Sequence, residues 1–345
     1  MSQMKSRNMN VEALRCVLMF LIVYQHCYLL GPFVHDGGYW GNGILAFINW
    51  HVVVFVAISG WFGIRFSFKK FANLWMQVAY YSILLFCAGL ILGNPISNWR
   101  EYLHVGGWFV PAYLMLLLCV SFLNAGIEKM QERGVRYAWK CWGLVMLGYI
   151  LNWLPYHAFT HVSFATPSAL SFLTVAFVYV TARLLAVTEI IGEKWKTALG
   201  CALGGFALYV LLMCVLYKIL NPHDTNVMCY YISYENPFVW AMGLTIVCAV
   251  VHLRPLPKQL GEMVALISPS IFSVLLIHLG TPVGKELCVS LQEWLFRSTD
   301  FHPFFIVLLS AIQVFVICIA VDFVRRGLFN LAHQMFLKLK GVKYE

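Results

Sequence analysis

Four ionisable side chains stand out within stretches otherwise apolar enough for a membrane: Arg15, His26, His51 and His278. Each costs a few kcal/mol near a bilayer midplane on insertion scales, so each asks for a reason. Polar company comes from Gln25, Asn49, Ser59, Gln77, Asn152 and Asn236. Arg15 and His26 are eleven residues apart. At about 100° per residue, eleven steps end roughly 20° past three full turns, so one helix face would carry both, about 16 Å apart along the axis. That stripe presents a cation below and a titratable imidazole above.

At 1.5 Å per residue, His26 stands about 22 Å from the inner edge of its helix and His278 about 20 Å up its own, with His51 about 12 Å from the outer edge of a third. Three histidines on three helices thus share the outer half of the bilayer. Plainer readings exist for each. Arg15 follows Glu12 by three residues, which permits a local ion pair with a snorkelling side chain. A lone intramembrane histidine is often hydrogen-bonded across helices, and His51 fits that description best. Metal ligation is a third option, but no HxxxH or HxH spacing occurs and intramembrane carboxylates are scarce; the sequence predicts no metal site.

Positioning such groups requires a membrane bundle, and composition supplies one. Of 345 residues, 61% are hydrophobic and 11% charged, with a mean hydropathy of +0.76. Soluble domains carry about 25% charged residues. Apolar stretches of roughly 20 residues, each able to cross about 30 Å of hydrocarbon as a helix, are expected at 11–31, 42–64, 71–93, 105–124, 138–156, 165–187, 197–220, 236–253, 265–283 and 304–324. The fold class is all-α: a polytopic transmembrane bundle of about ten spans with both termini cytoplasmic. Residues 1–345 form one such domain, with no soluble domain inserted or appended.

Charge tests this independently. With ten spans, nineteen of the 24 lysines and arginines fall on the cytoplasmic side, the bias that the positive-inside rule demands. The net charge of +9 is therefore topological and does not point to nucleic acid. Lys5 and Arg7 precede an apolar run without a small-x-small cleavage site, so the first span reads as an uncleaved helix. The eleven cysteines include no CxxC pair and serve mostly as small core residues; Cys229 and Cys288 are free to pair outside the membrane.

The run Asn10-Val11-Glu12-Ala13-Leu14-Arg15 followed by Tyr24-Gln25-His26 resembles the opening of the acyltransferase 3 family of membrane O-acyltransferases, in which a basic residue, ten intervening residues and a histidine share the first helix. Three more stretches agree in order: Val56-Ala57-Ile58-Ser59-Gly60-Trp61-Phe62, then Gly107-Trp108-Phe109 with Tyr113 and Leu114, then Ser270-Ile271-Phe272-Ser273-Val274-Leu275-Leu276-Ile277-His278. The family often has a tyrosine two or three residues before the late histidine; Leu275 and Leu276 stand there instead.

The resemblance implies transfer of an acyl group, usually acetyl, from cytoplasmic acetyl-CoA or another acyl-CoA to a hydroxyl of a carbohydrate. The acceptor is a cell-envelope glycan or lipid-linked sugar, and the setting the bacterial inner membrane. It makes His26, Arg15 and His278 the expected catalytic residues: His26 deprotonating the acceptor hydroxyl, Arg15 holding the donor's pantetheine end or polarising its carbonyl, His278 serving as a second acid/base group or an acyl relay. Arg65, Lys69 and Lys70 would meet the phosphates of CoA, although positive-inside charge alone accounts for them. Ser59 and Trp108 join the expected donor site; Trp108 suits stacking on a sugar ring or adenine, or a place in the aromatic belt.

Two other classes compete. A transporter or flippase of glycan or lipid intermediates gains from ten spans and intramembrane charge, but lacks an inverted repeat and a matched pair of Gly/Pro-broken spans. A polysaccharide polymerase predicts a large outside loop rich in Arg and His, whereas the segments near 221–235 and 284–303 are short and contain one arginine, Arg297.

Overall fold

The computed structural model describes residues 8–31, 48–159, 168–220, 234 and 236–339. Its described residues are helical or irregular, without a strand. The helices are α1 (Met9–Leu30), α2 (His51–Phe62), α3 (Phe68–Ile91), α4 (Phe109–Glu132), α5 (Val135–Phe159), α6 (Ser168–Thr188), α7 (Trp195–Leu220), α8 (Pro237–Val251), α9 (Lys258–Ile267), α10 (Ile271–His278), α11 (Pro282–Ser298) and α12 (Pro303–Leu339). A 3-10 segment, Ile96–His104, precedes α4, and another, Ser268–Ser270, joins α9 to α10. That second joint is where Pro269 removes a backbone donor and breaks the run.

Six of the expected spans coincide with stretches long and apolar enough to cross a membrane: Met9–Leu30, Phe68–Ile91, Phe109–Glu132, Gly192–Leu212, Lys258–His278 and Pro303–Ala332. His51–Phe62, Phe172–Thr188 and Pro237–Val251 are apolar but shorter. Large side chains such as Ile83, Ile91, Phe122, Leu144, Leu208 and Val324 face outward, a surface that suits lipid and not water. The chain is a multi-pass membrane protein.

Among the described residues, two hydrophobic clusters make up the interior. One gathers α3, α10, α11, α12 and the middle of α1; the other gathers α2, α6, α8 and most of α4, with Val11 and Leu18 of α1. Helix α1 stands between them, packed against α2, α8, α9, α10, α11 and α12. Its start is capped by Asn8, whose side chain accepts from the Asn10 and Val11 amides, as N-cap asparagines do. Asn10 then ties it to α8's exit, donating to the carbonyls of Leu253 at 3.1 Å and Arg254 at 3.0 Å.

The stretch 284–303, read from sequence as a connecting segment, is mostly helix α11. Thr281 caps it by accepting from the Gly284 amide at 3.2 Å, and Pro282 occupies the first turn, where a missing N–H costs nothing. Leu287, Leu291 and Leu295 pack inward, with Lys285, Glu286, Glu293 and Arg297 on the remaining surface. The alternation is amphipathic, too polar to be read as a span and too regular to be a loop. Cys288 on this helix is a buried free thiol next to Cys27; Cys229, with which the sequence left it free to pair, lies outside the described residues.

Candidate functional site

His26 and His278 meet. Nδ1 of His26 lies 3.0 Å from Nε2 of His278, with ring centroids 5.2 Å apart. The protons follow from one further contact: Nδ1 of His278 sits 2.5 Å from the Val274 carbonyl oxygen. A carbonyl only accepts, so His278 carries its proton on Nδ1 and its Nε2 is an acceptor. His26 then donates from Nδ1, and its Nε2 keeps a free lone pair that no described residue takes up. His278 is fully buried, whereas His26 is half-buried. One imidazole is thus oriented by the second, with a base nitrogen left over.

The end of α10 is built to hold His278 in place. The Leu279 carbonyl accepts from the Gly106 amide at 3.0 Å. Gly280 sits at φ +92, where a Cβ would run into the His104 carbonyl oxygen. Gly284 brings the first turn of α11 against the Ile277 and His278 carbonyls, with no room for a side chain.

His51 joins through α1. Its Nε2 donates to Oε1 of Gln25, the residue before His26, and Gln25 Nε2 donates to Asn49 Oδ1 at 3.3 Å. The three histidines expected at one depth are therefore brought together, two directly and the third through a glutamine. Asn236, also polar and buried, serves a local purpose as the cap of α8.

Arg15 is elsewhere. Its Nη1 pairs with Glu12 Oε1 at 3.0 Å, and its side chain stays 36% exposed. It keeps the local partner that its spacing permitted, and the helix rise leaves it about 16 Å below His26.

The expected donor residues do not form one cluster. Arg65, Lys69 and Lys70 are exposed beyond the Phe62 end of α2. Trp108 lies towards the opposite end, lining a small apolar crevice with Val52, Val53, Val56, Val178 and Tyr234. Its indole stacks on the Tyr234 ring at 4.5 Å. Trp108 is thus separated from the cationic rim by most of α2. Ser59 is buried between them, within hydrogen-bond distance of the Tyr113 hydroxyl at 3.0 Å and donating weakly to the Phe55 carbonyl at 3.4 Å.

Two polar groups escaped the sequence reading. Arg183, counted there only as positive-inside charge, packs its guanidinium against Gly63 and donates to the Trp61 carbonyl at 3.4 Å. It enlarges the rim of Arg65, Lys69 and Lys70, and none of the four pairs with a described carboxylate. Asp322 falls within the expected last span, and a lone acidic residue there was a signal. It is fully buried, and its Oδ1 accepts from the Tyr81 hydroxyl at 2.7 Å, the Ser273 hydroxyl at 2.6 Å and Arg325 Nε at 2.7 Å. Gln77 completes the network by donating to Ser273 Oγ at 2.6 Å. Ser273 and His278 share α10, so this network anchors the short helix that carries the buried histidine.

A family model described as an acyltransferase domain, that of the acyltransferase 3 family, matches residues 8–323. No curated protein and no solved structure matches the chain.

Proposed function

This chain belongs to the acyltransferase 3 family, and from that premise we propose that it moves an acetyl group from cytoplasmic acetyl-CoA to a hydroxyl of a cell-envelope glycan or lipid-linked sugar. It is a membrane acyltransferase; the donor, the acyl chain and the acceptor are the proposal. The observation that carries it is the free Nε2 lone pair on a histidine whose other nitrogen is held by His278.

In the proposed step the acceptor O–H bond breaks and its proton passes to His26 Nε2. The oxygen attacks the thioester carbonyl carbon, a C–O bond forms and the C–S bond breaks. The thiolate leaves as CoA and takes the proton back from His26. The imidazolium formed in between donates more strongly to His278, which stabilises it, as an orienting group does in other base–orienter pairs. His278 has both nitrogens engaged, which favours an orienting role and direct transfer over an acyl relay.

Arg15 lies too far from His26 to act on the same carbonyl, so holding the donor is the role that fits it. The exposed Arg65, Lys69 and Lys70, with the half-buried Arg183 behind them, suit the phosphates of CoA, with the pantetheine arm running up α1 past Arg15 towards His26. Ser59 and its Tyr113 partner join α2 to α4 between the rim and Trp108. Trp108, beside the His51 end of α2, fits the acceptor better than adenine. Ten crossings with both ends cytoplasmic, in the inner membrane of a bacterium, go with this reading.

Purified protein supplied with radiolabelled acetyl-CoA and an envelope-glycan pool tests the reaction. Label reaching glycan only when folded protein is present supports it. A folded sample that neither transfers label nor binds acyl-CoA would move the assignment to a transporter or flippase.

A further inference from the structure

Two polar atoms beside the histidine cluster are buried and unpartnered among the described residues: Nε1 of Trp50 and Nδ1 of His51. Buried polar groups are nearly always hydrogen-bonded, so a consecutive pair of exceptions calls for an explanation. The two are chemically complementary. The Trp50 indole nitrogen can only donate. His51 is 2% exposed and donates from Nε2 to Gln25; its neutral ring therefore leaves Nδ1 as an acceptor. Gln25 is itself held by Asn49, so the His51 ring is fixed with its empty acceptor turned away from Gln25. Trp50 precedes the first turn of α2 and makes no side-chain cap, so neither atom is occupied by helix termination.

We propose that Trp50 and His51 form a subsite that reads a hydroxyl of the acceptor carbohydrate, next to the base that activates its neighbour. The inference rests on the acyl-transfer reading above. A hydroxyl donates once and accepts as well, so the alcohol groups of a sugar supply what the two orphan atoms lack, a donor for His51 and an acceptor for Trp50. Gln25 and His26 are consecutive on α1, which sets this subsite beside the proposed base. The crevice of Trp108, Tyr234, Val52 and Val56 adds an apolar wall at the same end of α2, suited to the C–H face of a pyranose. The donor's phosphates belong at the opposite end, so the subsite sorts acceptors and leaves donor affinity alone.

The test uses full-length protein in detergent, with methyl glycosides of glucose, galactose, rhamnose and N-acetylglucosamine as probes. Ligand-induced rise in the unfolding midpoint reads binding without requiring turnover, and each variant's own midpoint reports its folding. Trp50→Phe keeps a ring and removes the donor. His51→Gln keeps a polar atom where Nε2 meets Gln25 and removes Nδ1; His51→Asn keeps a polar atom in place of Nδ1 and removes the Gln25 contact. At least one glycoside should raise the wild-type midpoint. Trp50→Phe and His51→Gln should need about tenfold more of it for the same rise, an effect on the scale of one lost hydrogen bond, while His51→Asn responds nearly as wild type. The response to acetyl-CoA should be unchanged in all three.

Several results overturn the subsite: no wild-type response to any glycoside, as a trapped water would give; equal responses in wild type, Trp50→Phe and His51→Gln; or a weaker response in His51→Asn than in His51→Gln, which would make His51 a partner of Gln25 only. A glycoside response lost in the variants, in a protein that never transfers label from acetyl-CoA, would instead leave the subsite standing and remove the transferase reading.

Discussion

At one end of α1, Arg15 turns back to Glu12, three residues earlier, at 3.0 Å. At the other, His26 reaches across 252 residues of sequence to His278, also at 3.0 Å. Both residues were expected from sequence to serve catalysis, and both make a polar contact of the same length. The first contact exists wherever the helix exists. The second exists only if α10 ends at the right height, with Leu279 bound to Gly106 and α11 close enough for Gly284 to touch the Ile277 carbonyl. A local pair at a half-open helix end leaves a cation able to exchange its partner for a ligand. A tertiary pair in the interior fixes one ring so that its far nitrogen points where chemistry is wanted.

This contrast orders the expected effects of substitution. His26→Ala should lower acyl transfer by about 10³-fold or more, within the range ascribed to general acid–base groups, while the purified protein keeps its unfolding midpoint to within a few degrees. Asp322→Ala should do the reverse. Removing one member of a buried ion pair costs about 3 kcal/mol, and Arg325 is only 15% exposed beside it; thermal unfolding in detergent should show the loss. Any fall in activity should follow the fraction folded. His278→Ala should reduce transfer by about tenfold to hundredfold without changing the apparent affinity for acetyl-CoA, because the base survives but loses its orientation. Arg15→Ala should raise the KM for acetyl-CoA about tenfold, on the scale of a lost charge-assisted hydrogen bond, with little change in kcat. Glu12→Gln should be smallest, below about 1 kcal/mol in stability, because the i,i+3 pair is local, its Arg15 partner stays 36% exposed and glutamine keeps an acceptor for it. If Glu12→Gln instead abolished transfer, the two ends of α1 would be one machine and the contrast would fail.

Much of this arrangement was legible in the sequence. Apolar length located most of the helices, because hydrocarbon thickness and backbone satisfaction leave few alternatives. Helical rise placed His26, His51 and His278 at one depth, and the Glu12–Arg15 spacing allowed for the pair that forms. What could not be read is lateral: depth says nothing about which helices are neighbours, so the His26–His278 contact and the Gln25 bridge to His51 required the packed bundle. The same applies to Trp108, whose distance from Arg65 is set by the direction in which α2 runs between them. Asp322 was readable and overlooked, since a carboxylate inside an apolar span is as costly as a histidine. Helix α11 reads as a connection in the sequence because its charged face lowers its hydropathy, although Thr281-Pro282 marks a helix start.

The central claim is that His26 is the base and that His278 holds it. Transfer of label from acetyl-CoA to a glycan pool, compared among wild type, His26→Ala and His278→Ala in samples of equal folded fraction, tests it directly. The account predicts no measurable transfer by His26→Ala and a reduced but measurable rate for His278→Ala. A His26→Ala protein that transfers label as wild type does would contradict it.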